Sequence, residues 1–417
     1  MKFLCIFLSL LLITGCMKTE NWTSSTIDKN ESEKSDITLV TDDNPVTYYM
    51  DSVEDIMEDY IPMMNTMVRL KVYKGDAETL YNEAYETMAK YHKMLDSHHY
   101  YRDENDDLIK NIRIINDSYA TGASMEVSAE MIEILESSMK MAELSKGYFN
   151  PFMGALIDLW SPKFSAFPIE NTDPEPTEIE KAKACVPTID QMNDVLIINK
   201  ENSTVTFNQL NGCTGTVSIN LGAFSKGYII DRTRETLMNH DAVWLLHAGT
   251  STIAGYDPDS AKTWTAGVIS PYNKAAMLYV LELTSDQCLS TSGDDNQYFL
   301  LNTGDDFPTV RCHILNPTTG YSENTYRSAS VMTQGNATIS DVLSTVMFSV
   351  SNKNEAFEII KAFEKEYNTE ISVSWIRETD TEFKLTAVEA TQTIHDAIVE
   401  ETIMDAVENI VLLEVPE

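Results

Sequence analysis

Between Asp194 and Met238 the spacing of the apolar residues changes once, and that change restricts the chain to folds that mix both kinds of secondary structure. DVLIINK (194–200) and STVTFNQ (203–209) carry strand signals. After the turn carrying Asn220, a helix is predicted through Met238. The same contrast recurs along the chain. MVRLKVY (67–73), AVWLLHA, WTAGVIS, MLYVLELT and EISVSWI read as strands. Residues 77–95, 128–145, 339–351 and 355–367 read as helices, with Ser128 as an N-cap. SPKFSAFPIENTDPEPTE, after Trp160, is rich in Pro and acidic residues and reads as a surface loop. No regular repeat organises these segments, so the class is mixed α/β or α+β.

The chain is long enough for a sizeable core, with 417 residues of which 43% are hydrophobic. Its 30 basic and 65 acidic residues give a net charge of −35, which opposes any sequence-independent hold on nucleic acid. MKFLCIFLSLLLITGC has the form of a secretory signal, and Ile13-Thr14-Gly15-Cys16 resembles a bacterial lipobox. The expectation is an exported protein on the extracytoplasmic face of the cell membrane, anchored through lipid on Cys16. Residues 17–55 read as a polar, acidic, disordered tether, 56–390 as the folded domain and 391–417 as an extension. That extension suggests a helix packing on the domain or on a partner. Cys185, Cys213, Cys288 and Cys312 contain no C-x-x-C pair, which argues against zinc, and allow three disulfide pairings.

Five stretches have chemical potential. NLGAFSKGYIID (220–231) lacks the Walker and G-x-G-x-x-G patterns, yet a helix start beside Lys226 suits a pyrophosphate. In ATISDVLSTVMFSV (337–350), Asp341 and Thr345 lie one helical turn apart and offer two oxygen ligands to an ion such as Mg²⁺. In RCHILNPTTGYS (311–322), His313 ends a short strand before a Pro-Thr-Thr-Gly turn, where an imidazole can take a proton. STSGDDNQY (290–298) reads as a polar turn presenting Ser292, and KGYFNPFMGALIDLW (146–160) places Tyr148 and Phe149 before a helix. Each has a plain structural alternative: a solvated turn lysine, a carboxylate satisfying a helix dipole, a packed histidine, core aromatics.

Taken in order, these stretches resemble the bacterial ApbE-type FAD:protein FMN transferases. Met64-Asn65-Thr66 stands where that family often has M-G-T, and Gly147-Tyr148-Phe149-Asn150-Pro151 with Trp160 where it has G-x-F-D-P and a Trp. NLGAFSKGYIID matches D-x-G-x-x-A-K-G-Y-x-x-D. Thr291-Ser292-Gly293, residues 313–320 and Asp341 to Thr345 match T-S-G, H-I-x-[DN]-P-x-T-G and a late D-A-x-x-T helix.

The resemblance implies one compact unit of two intertwined α/β lobes and an enzyme that moves FMN from FAD to a Thr of an exported acceptor protein, releasing AMP. It implies FAD contacts at Met64, Tyr148, Phe149, Asn150, Asn220, Lys226, Ser292, His313 and Ile314. It implies Mg²⁺ held by Asp341, Thr345 and the Ala223 carbonyl, with His313 and Lys226 as catalytic groups. The departures are Asn65 for Gly, Asn150 and Asn220 for Asp, Ser225 for Ala, and Ala248-Gly249-Thr250 where Gly-Gly is expected. Three alternatives stay open: an Mg²⁺-dependent FAD pyrophosphatase, a lipoprotein that binds flavin without turnover, and a structural lipoprotein that binds no flavin.

Overall fold

In VRLKVYK, Val68, Leu70 and Val72 point to one side and are buried, while Arg69, Lys71 and Tyr73 point to the other and are half-buried. That strand belongs to a nine-stranded sheet whose members lie side by side in chain order. They are β1 (Val46–Met50), β2 (Val68–Lys74), β3 (Val243–Ala248), β4 (Thr252–Tyr256), β5 (Gln287–Gly293), β6 (Ser328–Gln334), β7 (Ile371–Glu378), β8 (Leu385–Ala390) and β9 (Asn409–Leu412). Every neighbouring pair is antiparallel except the last. This computed structural model describes residues 45–50, 52–53, 61–165, 171–271, 277–301, 309–323, 325–378, 385–399 and 409–415. The signal sequence and Cys16 lie outside the described residues.

The helices that cover one face of the sheet come from its long connections. Between β2 and β3 lie α1 (Ala77–Leu95), α2 (Ala129–Leu144), α4 (Gly222–Leu237), a small sheet of Ser124–Glu126, Thr204–Phe207 and Leu196–Asn199, and α3 (Gly154–Ser165), whose Leu156 and Trp160 pack in a separate cluster with Ile179 and Phe299. Between β6 and β7 lie α5 (Ala337–Ser349) and α6 (Lys353–Tyr367). The main core joins Leu70, Trp244, Leu246, Ala329 and Val373 of the sheet to Met88, Phe224, Ile230, Leu343 and Phe363 of these helices. The opposite face is covered by the hairpin Trp264–Ile269 and Met277–Leu283, where Leu281 and Tyr279 meet Leu289, Met332 and Val388. A sheet buried on both faces explains why β3 reads VWLLHA, with only His247 not fully buried, and does not alternate. The fold is therefore mixed α/β, as the alternating periods require.

Four expectations need correction. The tether reading of 17–55 runs too far, because VTYYM pairs residue by residue with β2 from Val46↔Val72 to Met50↔Val68 and buries Met50. The loop after Trp160 is helical through Ser165, and a second helix, Pro176–Lys183, starts on a capping box of Glu175 and Glu178. Ser290 to Gly293 are in β5, not in a turn. The tail contributes a short helix, Gln392–Ala397, and then β9 parallel to β8, so the boundary at 390 divides a continuous sheet. Of the three possible pairings, Cys185–Cys213 is the disulfide, while Cys288 and Cys312 are reduced and buried.

Ser128 does cap α2, its hydroxyl accepting from the Met131 amide at 3.1 Å. Gly255 of β4 is required by the hairpin: a Cβ there would come within 2.7 Å of the Trp264 ring. The substitution Gly255→Ala is predicted to push Trp264 off Val243 and Leu245 and to destabilise the fold by about 1–3 kcal/mol in chemical denaturation.

Candidate functional site

The site is built where α4 crosses α5. Gly227 has no alternative at this crossing, since a Cβ would lie 2.3 Å from the Ala337 carbonyl oxygen and 2.7 Å from the Asp341 Cβ. The close approach lets the Gly227 amide donate to Asp341 Oδ2 at 2.9 Å. Lys226 Nζ donates to the Gly222 carbonyl at 3.2 Å and lies 3.7 Å from Asp341 Oδ1. Asp341 is almost fully buried, and burial raises its pKa above the usual carboxylate value, opposed by the Lys226 ammonium and the Gly227 amide.

One turn further along α5, Thr345 Oγ1 lies 3.2 Å from the Ser292 hydroxyl, which also meets Ser344 Oγ at 2.7 Å. Ser292 thus faces the Thr345 hydroxyl from strand β5. His313 follows the strand Thr309–Cys312, and its amide donates to the Gln297 carbonyl at 3.0 Å. The His313 side chain keeps solvent-facing surface although protein atoms crowd it. That crowding, with the nearby positive charge of Lys226, holds its pKa below the ordinary histidine value. Lys226 therefore acts on both Asp341 and His313, and residues from four separate motifs share one locality.

The other candidates are placed differently. Phe149 is buried, its ring roughly parallel to that of Phe224 at 6.5 Å, so it fills core. Tyr148 is half-buried and donates its hydroxyl to Glu355 Oε2 at 3.2 Å. Ile314 is buried. Asn150 and Asn220 use their side-chain oxygens on the amides of Phe152 and Gly222, both at 2.9 Å. At the start of α4 the Gly222 amide is therefore taken by Asn220, and the Phe224 and Ser225 amides bond to the Leu221 carbonyl. The picture of a helix start with its N–H groups free for phosphate is corrected accordingly.

Met64 and Asn65 have φ of 51° and 55°, the left-handed region. Asn enters that region more readily than most residues, which explains how it replaces the family's Gly at 65. The turn is held by His92, whose Nδ1 accepts from the Met64 amide at 3.3 Å, and by Gly249, where a Cβ would sit 2.0 Å from Thr66 Oγ1.

Asp231, the last residue of NLGAFSKGYIID, carries a role that sequence reasoning did not assign. Its carboxylate accepts from the Ala337 amide at 2.8 Å, the Thr338 amide at 2.7 Å and the Thr338 hydroxyl at 2.6 Å. Arg234 Nη1 also donates to it at 2.9 Å. Asp231 thereby closes the first turn of α5, the helix that presents Asp341 and Thr345. Its spacing from Gly227, four residues on one helix face, was the signal available in the sequence.

Among the described residues no group of three or more His, Cys, Asp or Glu side chains could hold a metal ion. Asp341 and Thr345, one turn apart on α5, offer a single carboxylate and a hydroxyl, and Ala223, whose carbonyl the resemblance adds, lies in the first turn of α4. A sparse all-oxygen set of this kind fits Mg²⁺, which usually shares one or two carboxylates with substrate phosphates.

The sequence model of the ApbE family matches residues 64–370, and the chain belongs to that family. Similar curated proteins are named FAD:protein FMN transferase. That of Rhodobacter capsulatus is 25% identical over 56% of this chain and 41% of its own length. That of Haemophilus influenzae is 24% identical over 58% and 66%, and that of Klebsiella pneumoniae 22% identical over 69% and 80%. The matches thus span less than two thirds of the first two relatives. Among solved structures, the ApbE protein of Thermotoga maritima gives a TM-score of 0.60 at 23% identity, covering 79% of this chain and 94% of that one. The flavinyl transferase ApbE of Pseudomonas stutzeri gives 0.57 at 17% identity, covering 81% and 92%.

Two predictions follow from the buried polar groups. Burial keeps the His92 pKa below its ordinary 6.5, and the Met64 amide needs an unprotonated Nδ1. The neutral ring is favoured in the folded state, so its contribution is complete above about pH 6.5 and is lost as pH falls toward the lower folded value. Urea denaturation from neutral pH downward should show a stability loss that His92→Gln reduces. Asp231→Ala leaves Arg234 without that partner and opens the start of α5; a loss of about 3–5 kcal/mol is expected in the same assay.

Proposed function

We propose that the chain is a Mg²⁺-dependent FAD:protein FMN transferase. The observation that carries this reading is the α4–α5 crossing, which sets a buried carboxylate, a lysine and a threonine hydroxyl beside one another and close to an exposed histidine. Family membership and the names of the relatives support the same activity.

The reaction forms a phosphoester bond between an acceptor Thr oxygen and the FMN phosphorus, and breaks the anhydride bond to AMP. Lys226 is placed to offset the negative charge that grows on the phosphate oxygens. His313, kept neutral by crowding and by Lys226, is suited to take the proton of the attacking hydroxyl. Asp341, Thr345 and the Ala223 carbonyl would hold Mg²⁺, which supplies Lewis-acid polarisation of the pyrophosphate. Gly227 and Asp231 keep Asp341 in position from the facing helix. Met64, Tyr148, Asn220 and Ile314 are proposed to border the flavin.

The acceptor is proposed to be an exported protein bearing a flavinylation Thr, with this chain held at the extracytoplasmic membrane face through Cys16. The Cys185–Cys213 disulfide supports an oxidising compartment. Among the described residues no helix is long and apolar enough to cross a membrane.

The test is AMP release from FAD with and without Mg²⁺, followed by chromatography, with an acceptor peptide present or absent. Asp341→Asn keeps the shape and the acceptor for Gly227 but removes the charge. It is predicted to lower AMP release at least about 100-fold, equivalent to about 2.7 kcal/mol of transition-state stabilisation. AMP released equally without an acceptor would indicate hydrolysis, and bound FAD without AMP in either case would indicate storage.

A further inference from the structure

Asn150 stands where the family has Asp, and its surroundings in this chain require an amide. Its Oδ1 accepts from the Phe152 amide at 2.9 Å, and its Nδ2 donates to the Pro187 carbonyl at 3.0 Å. The side chain is buried, so neither bond is readily replaced by water. The two partners also fix the amide's orientation, since an N–H lies on one side and a C=O on the other. An ionised carboxylate would keep the Phe152 bond but set its second oxygen against the Pro187 carbonyl with no proton between them.

Pro187 is itself held in place. The disulfide ties Cys185, two residues earlier, to Cys213. Beyond Cys213, the Ser218 carbonyl accepts from the Gly154 amide at 3.0 Å, and the Asn220 amide donates to the Pro151 carbonyl at 2.8 Å. A Cβ on Gly154 would fall 2.1 Å from Ser218 Oγ, so these two segments touch backbone to backbone. The result is a block of three segments, 147–154, 185–188 and 213–222. It carries Tyr148 and Asn220 and delivers α4 with Lys226.

We propose that Asn150 is a positioning residue which, with the Cys185–Cys213 disulfide, pre-organises this flavin-binding block, so that restoring the family's carboxylate at 150 weakens FAD binding. The proposal rests on the reading of the chain as an FAD-using enzyme. Pre-organisation acts by lowering the ordering cost of binding. Its signature is a change in FAD affinity with little change in turnover at saturation.

The experiment compares wild type with Asn150→Asp, Asn150→Ala and the double variant Cys185→Ser/Cys213→Ser. FAD titration by flavin fluorescence, AMP-release kinetics and thermal unfolding are each measured near pH 8 and near pH 5.5. Near pH 8, Asn150→Asp is expected to raise the FAD Kd and KM about tenfold, with kcat within about threefold of wild type. Near pH 5.5 a buried carboxyl that takes up a proton can donate to Pro187, so the Asp variant is expected to recover relative to Asn150→Ala, which does not titrate at this position; the comparison removes the pH effects common to both variants. The disulfide variant is expected to raise the FAD Kd in the same way. Binding by Asn150→Asp as tight as wild type near pH 8, or tighter, overturns the proposal. If wild type binds no FAD, the functional reading fails, and the tie is judged from unfolding alone. Asn150→Asp melting below Asn150→Ala near pH 8 and recovering near pH 5.5 supports the tie, and equal melting at both pH values overturns it.

Discussion

The crossing of α4 over α5 is the contact on which the site depends. Gly227 allows the two backbones to approach, and Asp231, one turn later, closes the first turn of α5 by accepting from Ala337 and Thr338. Between them these residues set both the distance and the rotation of α5, and so decide where Asp341 and Thr345 point. The Gly227 amide on Asp341 Oδ2 and Lys226 near Oδ1 then divide the carboxylate between two positive partners. Both partners oppose the rise in pKa that burial imposes on this carboxylate.

The sheet supplies the rigidity. Its strands follow chain order, so every excursion between neighbouring strands returns to a fixed place, and the site groups are set out along it. Ser292 comes from β5, while α5 enters after β6 and α4 after β2. Burial on both faces, by the helices and by the Trp264–Leu283 hairpin, keeps the strands from shifting in register. Ser292 can therefore meet Thr345 across two elements without either being tied directly to the other in sequence.

The departures from the family pattern have a common logic. At 65 the turn is left-handed, and Asn is among the few residues other than Gly that adopt it. At 150 and 220 the loss of a carboxylate is matched by side-chain amides that bond the backbone nearby. At 150 and 220 a neutral side-chain oxygen accepts from a nearby backbone amide. Shape and charge are thus separable at these positions, with the disulfide adding a covalent constraint beneath them.

How much was legible in advance depended on whether the signal was local. The periods of two and of about four residues were enough to place α1, α2, α5 and the strands around β3. Ser128 was readable as a cap because capping acts over three residues. Asp341 with Thr345 was readable because one helical turn separates them. The motif order along the chain was enough to indicate the family. What neighbouring residues could not reveal was anything resting on distant pairing. β1 was read as tether because an edge strand is defined by its partner β2, and β9 was read as helix for the same reason. The choice of Cys185 with Cys213 among three pairings needed the 185–188 turn brought beside the 213–222 segment. The use of Asn150 on Pro187, and of Asp231 on α5, likewise needed residues 37 and 106 positions apart to meet. Sequence by itself determined the elements, the family and the chemical inventory, because those follow from local periodicity and side-chain type. Tertiary structure decided which of those groups share a site, because close packing and burial act between segments that the chain keeps far apart.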